Sequence, residues 1–570
     1  MAVRSPGGLT GQARPASPVA PADAGWASRL RPRTVELAAV AALALLAVAV
    51  VVLQRDVLAR QLWADESWRA YQISLREGFW RELRFAEAPF PLLWLVVERV
   101  SVELGGNTLL ALRLPPIAAF VALGPLTYAV GRRWLSVPVS FATAALLVLN
   151  GPIFDYAVQL KPFTLDCAAS VGALWLWLLA RERSRQRVAR LLLYLGIAAC
   201  GLLAVAAVFT VGFVLLLDLV ELLRSRERVW SRLAAPVTAG AVTVAHLALF
   251  VLPQDSVTGH VDWQGFYPPR DSLAAAAGFV VRQLAGFVPG MVTQLPHYVP
   301  SPAEPVLALA AGVRPLLTVL LLAALGAGMV AVLAGRRARV LAGLLAWCVV
   351  VELVASALHL WPFGLARVNY FLLPFAYLLA GVGLAYALDV ARHARRPGRG
   401  YLAGALAVAT VAGCVALLVT ARAQLAQARR TAHGPVYQLH TADTVAWTRL
   451  RASADDVVVF YSGSGSKGWA YYMRFYQGYD PATSAAARIG RERTLVLPGA
   501  ADEAPLRELL ARDRTVGDVF LVLPINARPE RVAVIKQVLS AGGYRQGARA
   551  GAYLTSSVQR FTRTATRDSA

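Results

Sequence analysis

Long apolar runs separated by short arginine-rich stretches fill the chain as far as residue 424. The first runs from Val35 to Leu53, and others centre near Ala119, Ala145, Leu174, Gly196, Leu216, Val242, Ala324, Val349, Leu379 and Ala409. Each is close to the roughly 20 residues that a helix needs to cross a bilayer, so about eleven spans are expected. Arginine clusters at 132–133, 181–187, 224–232, 336–339 and 392–399 lie between them. Placing every cluster in the cytoplasm, as the positive-inside rule asks, leaves outer loops at 54–108, 155–163, 253–314 and 360–369 and a short turn near Phe209. Within the first loop, Pro89 to Leu104 is apolar but short and carries Glu98, Arg99 and Glu103, which suits a surface or re-entrant helix. Asp271 to Val288 is a second stretch of that kind.

Three regions follow. Residues 1–34 are rich in Pro, Ala and Gly and read as a disordered cytoplasmic N-terminus. Residues 35–424 read as a transmembrane domain, its first run too long for a signal-peptide core. Residues 431–570 alternate strand-like runs (Val457–Tyr461, Thr494–Leu497, Val519–Leu523) with helical ones (Gly468–Gly478, Ala504–Arg512, Arg528–Ala541), which predicts a small extracytoplasmic α/β domain with a mostly parallel sheet. The expected fold class is therefore an α-helical polytopic membrane protein with a C-terminal α/β domain.

Composition agrees. Of 570 residues 57% are hydrophobic and only 16% charged, too few charges for a multidomain soluble protein. The net charge of +23 could suggest nucleic acid, but the arginines sit at the ends of apolar runs, so topology explains them and no nucleic-acid partner is expected. Cys167, Cys200, Cys348 and Cys414 lie in or beside apolar runs without metal-ligand spacing and read as small buried residues.

Candidate chemistry concentrates in the outer loops. Asp65 and Glu66 follow the first span between Trp63 and Trp68; one carboxylate could serve as a general base, or both could be solvated charges. The second loop runs from Asp155 and Tyr156 through Lys161 to Asp166. Lys161 is the lone lysine before residue 467 and is expected on the outer side, either in a functional role or paired with Asp155 or Asp166. Arg367 is a lone outer arginine, suited to a phosphate or to snorkelling. Trp263 and Tyr267 in the long loop suit contact with an acceptor or a headgroup, or plain interface anchoring. Gly463 to Gly468 resembles a phosphate-binding turn but lacks the nucleotide-binding spacing, so a simple strand-to-helix loop is favoured. No metal site is indicated.

Taken in order, these segments resemble the GT-C superfamily of membrane glycosyltransferases, in the branch of protein O-mannosyltransferases and aminoarabinose transferases. The matching features are Asp65-Glu66, then Ala88-Pro89-Phe90-Pro91-Leu92 where the family often has His-Pro-Pro-Leu. Ala111-Leu112-Arg113-Leu114-Pro115 follows, and then Tyr156 to Phe163, with Lys161 where arginine is commoner. Trp361-Pro362-Phe363-Gly364 with Arg367 also looks like a late loop of bacterial relatives.

The resemblance implies transfer of a hexosyl or pentosyl group from a polyprenyl-phosphate donor, held in the membrane lipid, to an extracytoplasmic glycan, lipid or protein. The implied course is inverting. Asp65 would be the base and Glu66 its partner. Lys161 and Arg367 would meet the donor phosphate, with Asp155, Tyr156 and Asp166 in support. No cofactor is required; a divalent metal is possible but not indicated. The competing readings are a transporter or flippase of lipid-linked material, in which His246 and Glu352 could form a path, and a non-catalytic cell-envelope assembly protein.

Overall fold

A computed structural model describes residues 32–62, 64–75, 90–183, 186–224, 230–254, 264–292, 305–335, 338–364, 367–393, 412–413, 415–416, 418–423, 426, 441–461, 463–476, 493–497, 503–523, 527–550 and 557–564. The membrane part is built from α1 (Pro32–Leu53), α2 (Ala64–Ser74), α3 (Leu92–Gly105), α4 (Leu109–Gly131), α5 (Val137–Val148), α6 (Gly151–Ala157) and α7 (Phe163–Glu182). It continues with α8 (Arg187–Leu203), α9 (Ala207–Arg224), α10 (Trp230–His246), α11 (Leu273–Val292), α12 (Pro305–Leu333), α13 (Arg339–Ala357) and α14 (Leu373–His393). Ten of the eleven expected span centres fall on these helices; Ala409 lies outside the described residues. Seven described helices are long and apolar enough to cross a membrane by themselves. The chain is a polytopic membrane protein.

Local chemistry sets the helix ends. Thr108 caps α4, its hydroxyl accepting from Ala111 N at 3.1 Å. Between α5 and α6 the chain bends by 60°. Asn150 causes the break: its side chain accepts from Ile153 N at 3.3 Å to start α6, and Pro152 sits in the first turn. The side-chain amide of Asn150 also donates to Tyr377 Oη of α14 at 3.1 Å, so the interruption is buried against protein. Non-helical backbone at membrane depth requires that kind of cover. Glycine permits the closest packing of spans. A Cβ on Gly383 of α14 would overlap the Ala324 carbonyl of α12, and one on Gly328 the Leu379 carbonyl.

The expected surface helix is α3. It is less superficial than its charges suggest. Arg99 donates to the carbonyls of Ile73 (2.8 Å) and Leu75 (2.6 Å), closing the end of α2, and pairs with Glu103. Glu98 is wholly buried, and burial pushes its carboxyl well above the usual carboxylate range, with only the Trp94 indole as an offset. His246 of α10 accepts from Leu92 N at 3.1 Å and so holds the start of α3. Glu352 is buried in α13, four residues from Cys348. Cys167, Cys200 and Cys348 are free thiols; Cys414 lies outside the described residues.

The C-terminal domain contains α15 (Thr441–Arg449), β1 (Val457–Phe460), α16 (Gly463–Arg474), β2 (Arg493–Val496), α17 (Ala504–Arg512), β3 (Val519–Leu523), α18 (Pro529–Ala541), β4 (Tyr544–Ala550) and β5 (Ser557–Arg563). The sheet order is β2-β1-β3-β5-β4. Strands β2, β1 and β3 are parallel, while β5 and β4 add an antiparallel pair that the sequence pattern does not announce. Alternation sends Val457, Val459 and Leu521 to a core with Ile535 and Leu539. It sends Val458, Phe460, Phe520 and Val522 to a second core that also contains Leu62, Trp68, Ile73, Trp94 and Leu160 of the membrane part. The domain is therefore fused to the first and second of the expected outer loops through a shared interior.

The glycine-rich stretch beginning at Gly463 is helical, forming the first turns of α16. Gly468 is needed for proximity: a Cβ there would lie 2.6 Å from Ser67 Oγ of α2.

Candidate active site

The segment Asp65-Glu66 begins α2, and Glu66 has no exposed surface. Its carboxylate accepts from Leu160 N at 2.6 Å and from Arg113 Nη2 at 3.5 Å. Arg113, equally buried, also donates to the carbonyls of Val57 (3.3 Å), Leu58 (2.6 Å) and Arg60 (2.9 Å). A buried ion pair persists when its remaining polar valences are largely met, and here three backbone carbonyls take Arg113 Nη1, while Nε has no partner among the described residues. Glu66 is thus a tie joining the segment after α1, the start of α4 and the segment between α6 and α7. Asp65 lies beside it at the start of α2; its side chain is outside the described set.

The second loop folds against the one at 360–369, which is the fifth when the short turn near Phe209 is counted. Asp155 accepts from Gln159 Nε2 at 3.2 Å and lies within electrostatic range of Arg60 and Glu66. Tyr156 packs edge-on against Phe163 (4.8 Å between centroids) and tilts against Tyr370 (5.6 Å). Arg367 stands 5.7 Å over the Phe163 ring. The Tyr370 phenol senses Asp155, Tyr156 and Arg367 together. Lys161 is wholly buried one residue beyond Leu160, and its backbone N–H donates to Gln159 O at 2.8 Å. Loops that are far apart in sequence are therefore linked in a chain of contacts from Glu66 through Leu160, Phe163 and Tyr156 to Arg367, with Lys161 next to Leu160 in sequence.

Other expected residues have different neighbours. Asp166 accepts from Ala206 N at 3.3 Å, just ahead of α9, and faces Arg69 electrostatically. A carboxylate suits the positive end of a helix. Tyr267 is buried and stacked on His359, 4.6 Å away at 12°. The neighbouring carbonyl of Phe266 accepts from Phe363 N (2.9 Å) and Ser356 Oγ (3.2 Å), lacing the long loop to the fifth. Trp263 lies outside the described residues. Asn369 shapes the fifth loop by accepting from Trp361 Nε1 at 2.6 Å and donating to the carbonyls of Pro362 and Gly364, both at 2.9 Å.

Sequence reasoning passed over Arg60 and Arg69, and used Arg113 only as part of a motif. All three are arginines on the expected outer side, the departure from the positive-inside trend that drew attention to Lys161 and Arg367. Arg69 lies 4.9 Å over the Phe90 ring. Among the described residues no group of three or more His, Cys, Asp or Glu is placed to hold a metal ion.

The whole arrangement can be compared with solved structures. ArnT from Cupriavidus metallidurans bound to undecaprenyl phosphate superposes with a TM-score of 0.51 at 16% identity, over 90% of this chain and 97% of that one. ArnT is a membrane glycosyltransferase of the GT-C superfamily. The chain has the GT-C fold. Two further GT-C proteins match at lower scores. The mycobacterial arabinofuranosyltransferase AftD gives a TM-score of 0.49 at 16% identity, covering 92% of this chain and 40% of its own. The Archaeoglobus fulgidus oligosaccharyltransferase tethered with an acceptor peptide gives 0.45 at 14%, covering 91% and 73%. No protein-family model and no curated protein sequence matches the chain. The superposition with ArnT extends over both the membrane part of the chain and most of its C-terminal domain, as 90% coverage requires.

Proposed function

We propose that the chain is an inverting membrane glycosyltransferase that moves a sugar from a polyprenyl-phosphate donor to an acceptor on the non-cytoplasmic face. The observation that carries this reading is the meeting of three outer loops on a GT-C fold. The Glu66–Leu160 bond joins the first loop to the second, and the Arg367–Phe163 contact joins the second to the fifth. That the ArnT structure holds undecaprenyl phosphate supports a lipid-phosphate donor.

The chemistry is a single displacement. An acceptor hydroxyl oxygen attacks the anomeric carbon, the bond from that carbon to the phosphate oxygen breaks, and the phosphate leaves with the bonding pair. The hydroxyl proton passes to Asp65. The leaving phosphate needs charge stabilisation more than protonation, and Lys161 and Arg367 supply it at the depth where an isoprenoid headgroup must lie. Glu66, Asp155 and Tyr156 hold the loops in register.

The test is transfer by purified protein in lipid nanodiscs, supplied with a panel of polyprenyl-phosphate sugars and envelope acceptors. Wild-type protein should turn over one of them. Asp65→Asn should reduce the rate at least 10³-fold with membrane insertion intact. Arg367→Ala and Lys161→Ala should each weaken undecaprenyl phosphate binding by roughly tenfold or more. Full activity in Asp65→Asn would remove that residue as the base.

A further inference from the structure

We propose that the C-terminal domain completes the candidate site, with Tyr472 a positioning residue that fixes the Asp65-Glu66 pair. The catalytic part of this proposal rests on the glycosyltransfer reading; the mechanical part does not.

The segment leading into α2 is gripped from two directions. From the membrane side, Arg113 binds the carbonyls that precede it and the Glu66 carboxylate within it. From the domain side, Tyr472 Oη donates to Leu62 O at 2.8 Å, a bond spanning 410 residues of sequence. Tyr472 and Leu62 are both almost fully buried. Asp65 is three residues beyond Leu62, so the anchored carbonyl fixes where α2 begins.

The contact is a matched pair of helical stripes. On α16, Gly468 and Tyr472 have the spacing that aligns residues on one helix face, and Phe475 follows immediately after the helix end. On α2, Ser67 and Tyr71 do the same. Gly468 lies against Ser67, where a side chain would come within 2.6 Å of the hydroxyl oxygen, and Phe475 meets Tyr71 at 6.1 Å between centroids. Behind the stripe, Trp469 and Tyr471 are buried in the same interior as Trp68 and Leu160. The phenols of Tyr471, Tyr472 and Tyr476 all lie within electrostatic range of Arg113. A module attached only to capture an acceptor would have no need of this seam. A base must sit within hydrogen-bond reach of the proton it takes, and a displacement of about 1 Å is enough to cost about 100-fold in rate.

Tyr472→Phe deletes the bond to Leu62 while preserving ring volume. Tyr544→Phe is its control, because Tyr544 Oη donates to Val516 O at 3.1 Å inside the domain and away from α2. Full-length proteins in nanodiscs are compared by amide hydrogen exchange, by binding of undecaprenyl phosphate, and by transfer with the donor that wild type uses. Tyr472→Phe should speed exchange at the start of α2 by about three- to tenfold. It should lower kcat by roughly tenfold or more while the affinity for undecaprenyl phosphate stays at the wild-type value. Tyr544→Phe should change neither exchange at α2 nor kcat. Unaltered exchange at α2 in Tyr472→Phe overturns the proposal, as does an equal loss of turnover in the two variants. Wild-type protein that fails to bind undecaprenyl phosphate counts against the glycosyltransfer reading instead, and the exchange comparison then decides the anchoring role by itself.

Discussion

Glu66 and Asp65 are adjacent and both acidic, and a helix turns about 100° between neighbours, so the two positions lie at different angles about the α2 axis. The sequence placed a carboxylate pair after the first span but held no sign of which member would be engulfed. Burial of Glu66 depends on Arg113, 47 residues on, and on a backbone N–H at Leu160, 94 residues on. Neither partner has a local signature. Lys161 and Arg367 were more legible, because a cation expected on the non-cytoplasmic side of a membrane needs a reason. Arg113→Met tests the tie. It strands Glu66 as a buried charge and leaves three carbonyls without a donor, so it should destabilise the protein by about 3–5 kcal/mol, read as a lowered Tm in detergent. Glu66→Gln keeps an acceptor for Leu160 and should cost less, about 1–3 kcal/mol. A Tm for Arg113→Met equal to wild type would mean that the pair holds nothing.

Helices announced themselves because about 20 apolar residues have few other uses. Joints and close approaches were less visible. The break at Asn150 hides inside a run whose composition reads as one span. Strand β4 escaped notice because Tyr-Arg-Gln-Gly-Ala-Arg-Ala has most of its positions exposed and so lacks the alternation of a half-buried strand. The glycines after Gly463 drew attention as a turn, whereas the packed structure uses Gly468 for helix contact. Glycine spacing reports that something comes near, not what it is. The seam between α12 and α14 allows a direct test of proximity. Gly383→Ala forces a methyl into the Ala324 carbonyl and should cost about 1–3 kcal/mol. Gly326→Ala, on the same face-to-face pair of helices but with nothing within 4 Å of the added carbon, should leave Tm unchanged or raised. Equal effects of the two substitutions would show that backbone entropy, not contact, governs both.

For the molecule as a whole, hydropathy located the spans, and arginine distribution predicts which loops share a side. Neither could reveal that the C-terminal domain shares an interior with the first two loops of the membrane part, since a shared core looks in sequence like any other core. That fusion makes sidedness testable at one point. In sealed right-side-out vesicles, a membrane-impermeant maleimide should modify Ser540→Cys, on the exposed face of α18, and should not reach Gln186→Cys at the start of α8 until the vesicles are opened. Protection of Ser540→Cys would put the domain in the cytoplasm. Through Tyr472 and Leu62 the acidic pair would go with it, which is incompatible with the proposed reaction.

The bend at Asn150 also bears on how the protein is made. Its amide partner, Tyr377, is translated 227 residues later, an interval of roughly ten to fifty seconds at ordinary ribosomal speeds. Until then the kinked segment must wait in the translocon or the lipid with that amide unpartnered by Tyr377, steadied in part by the earlier bond from Gln54 Nε2 to Phe154 O at 3.2 Å. Maturation of the nascent chain is therefore tied to its later helices, and a chain truncated before α14 would be left with an open polar notch, a feature by which membrane quality control could recognise it.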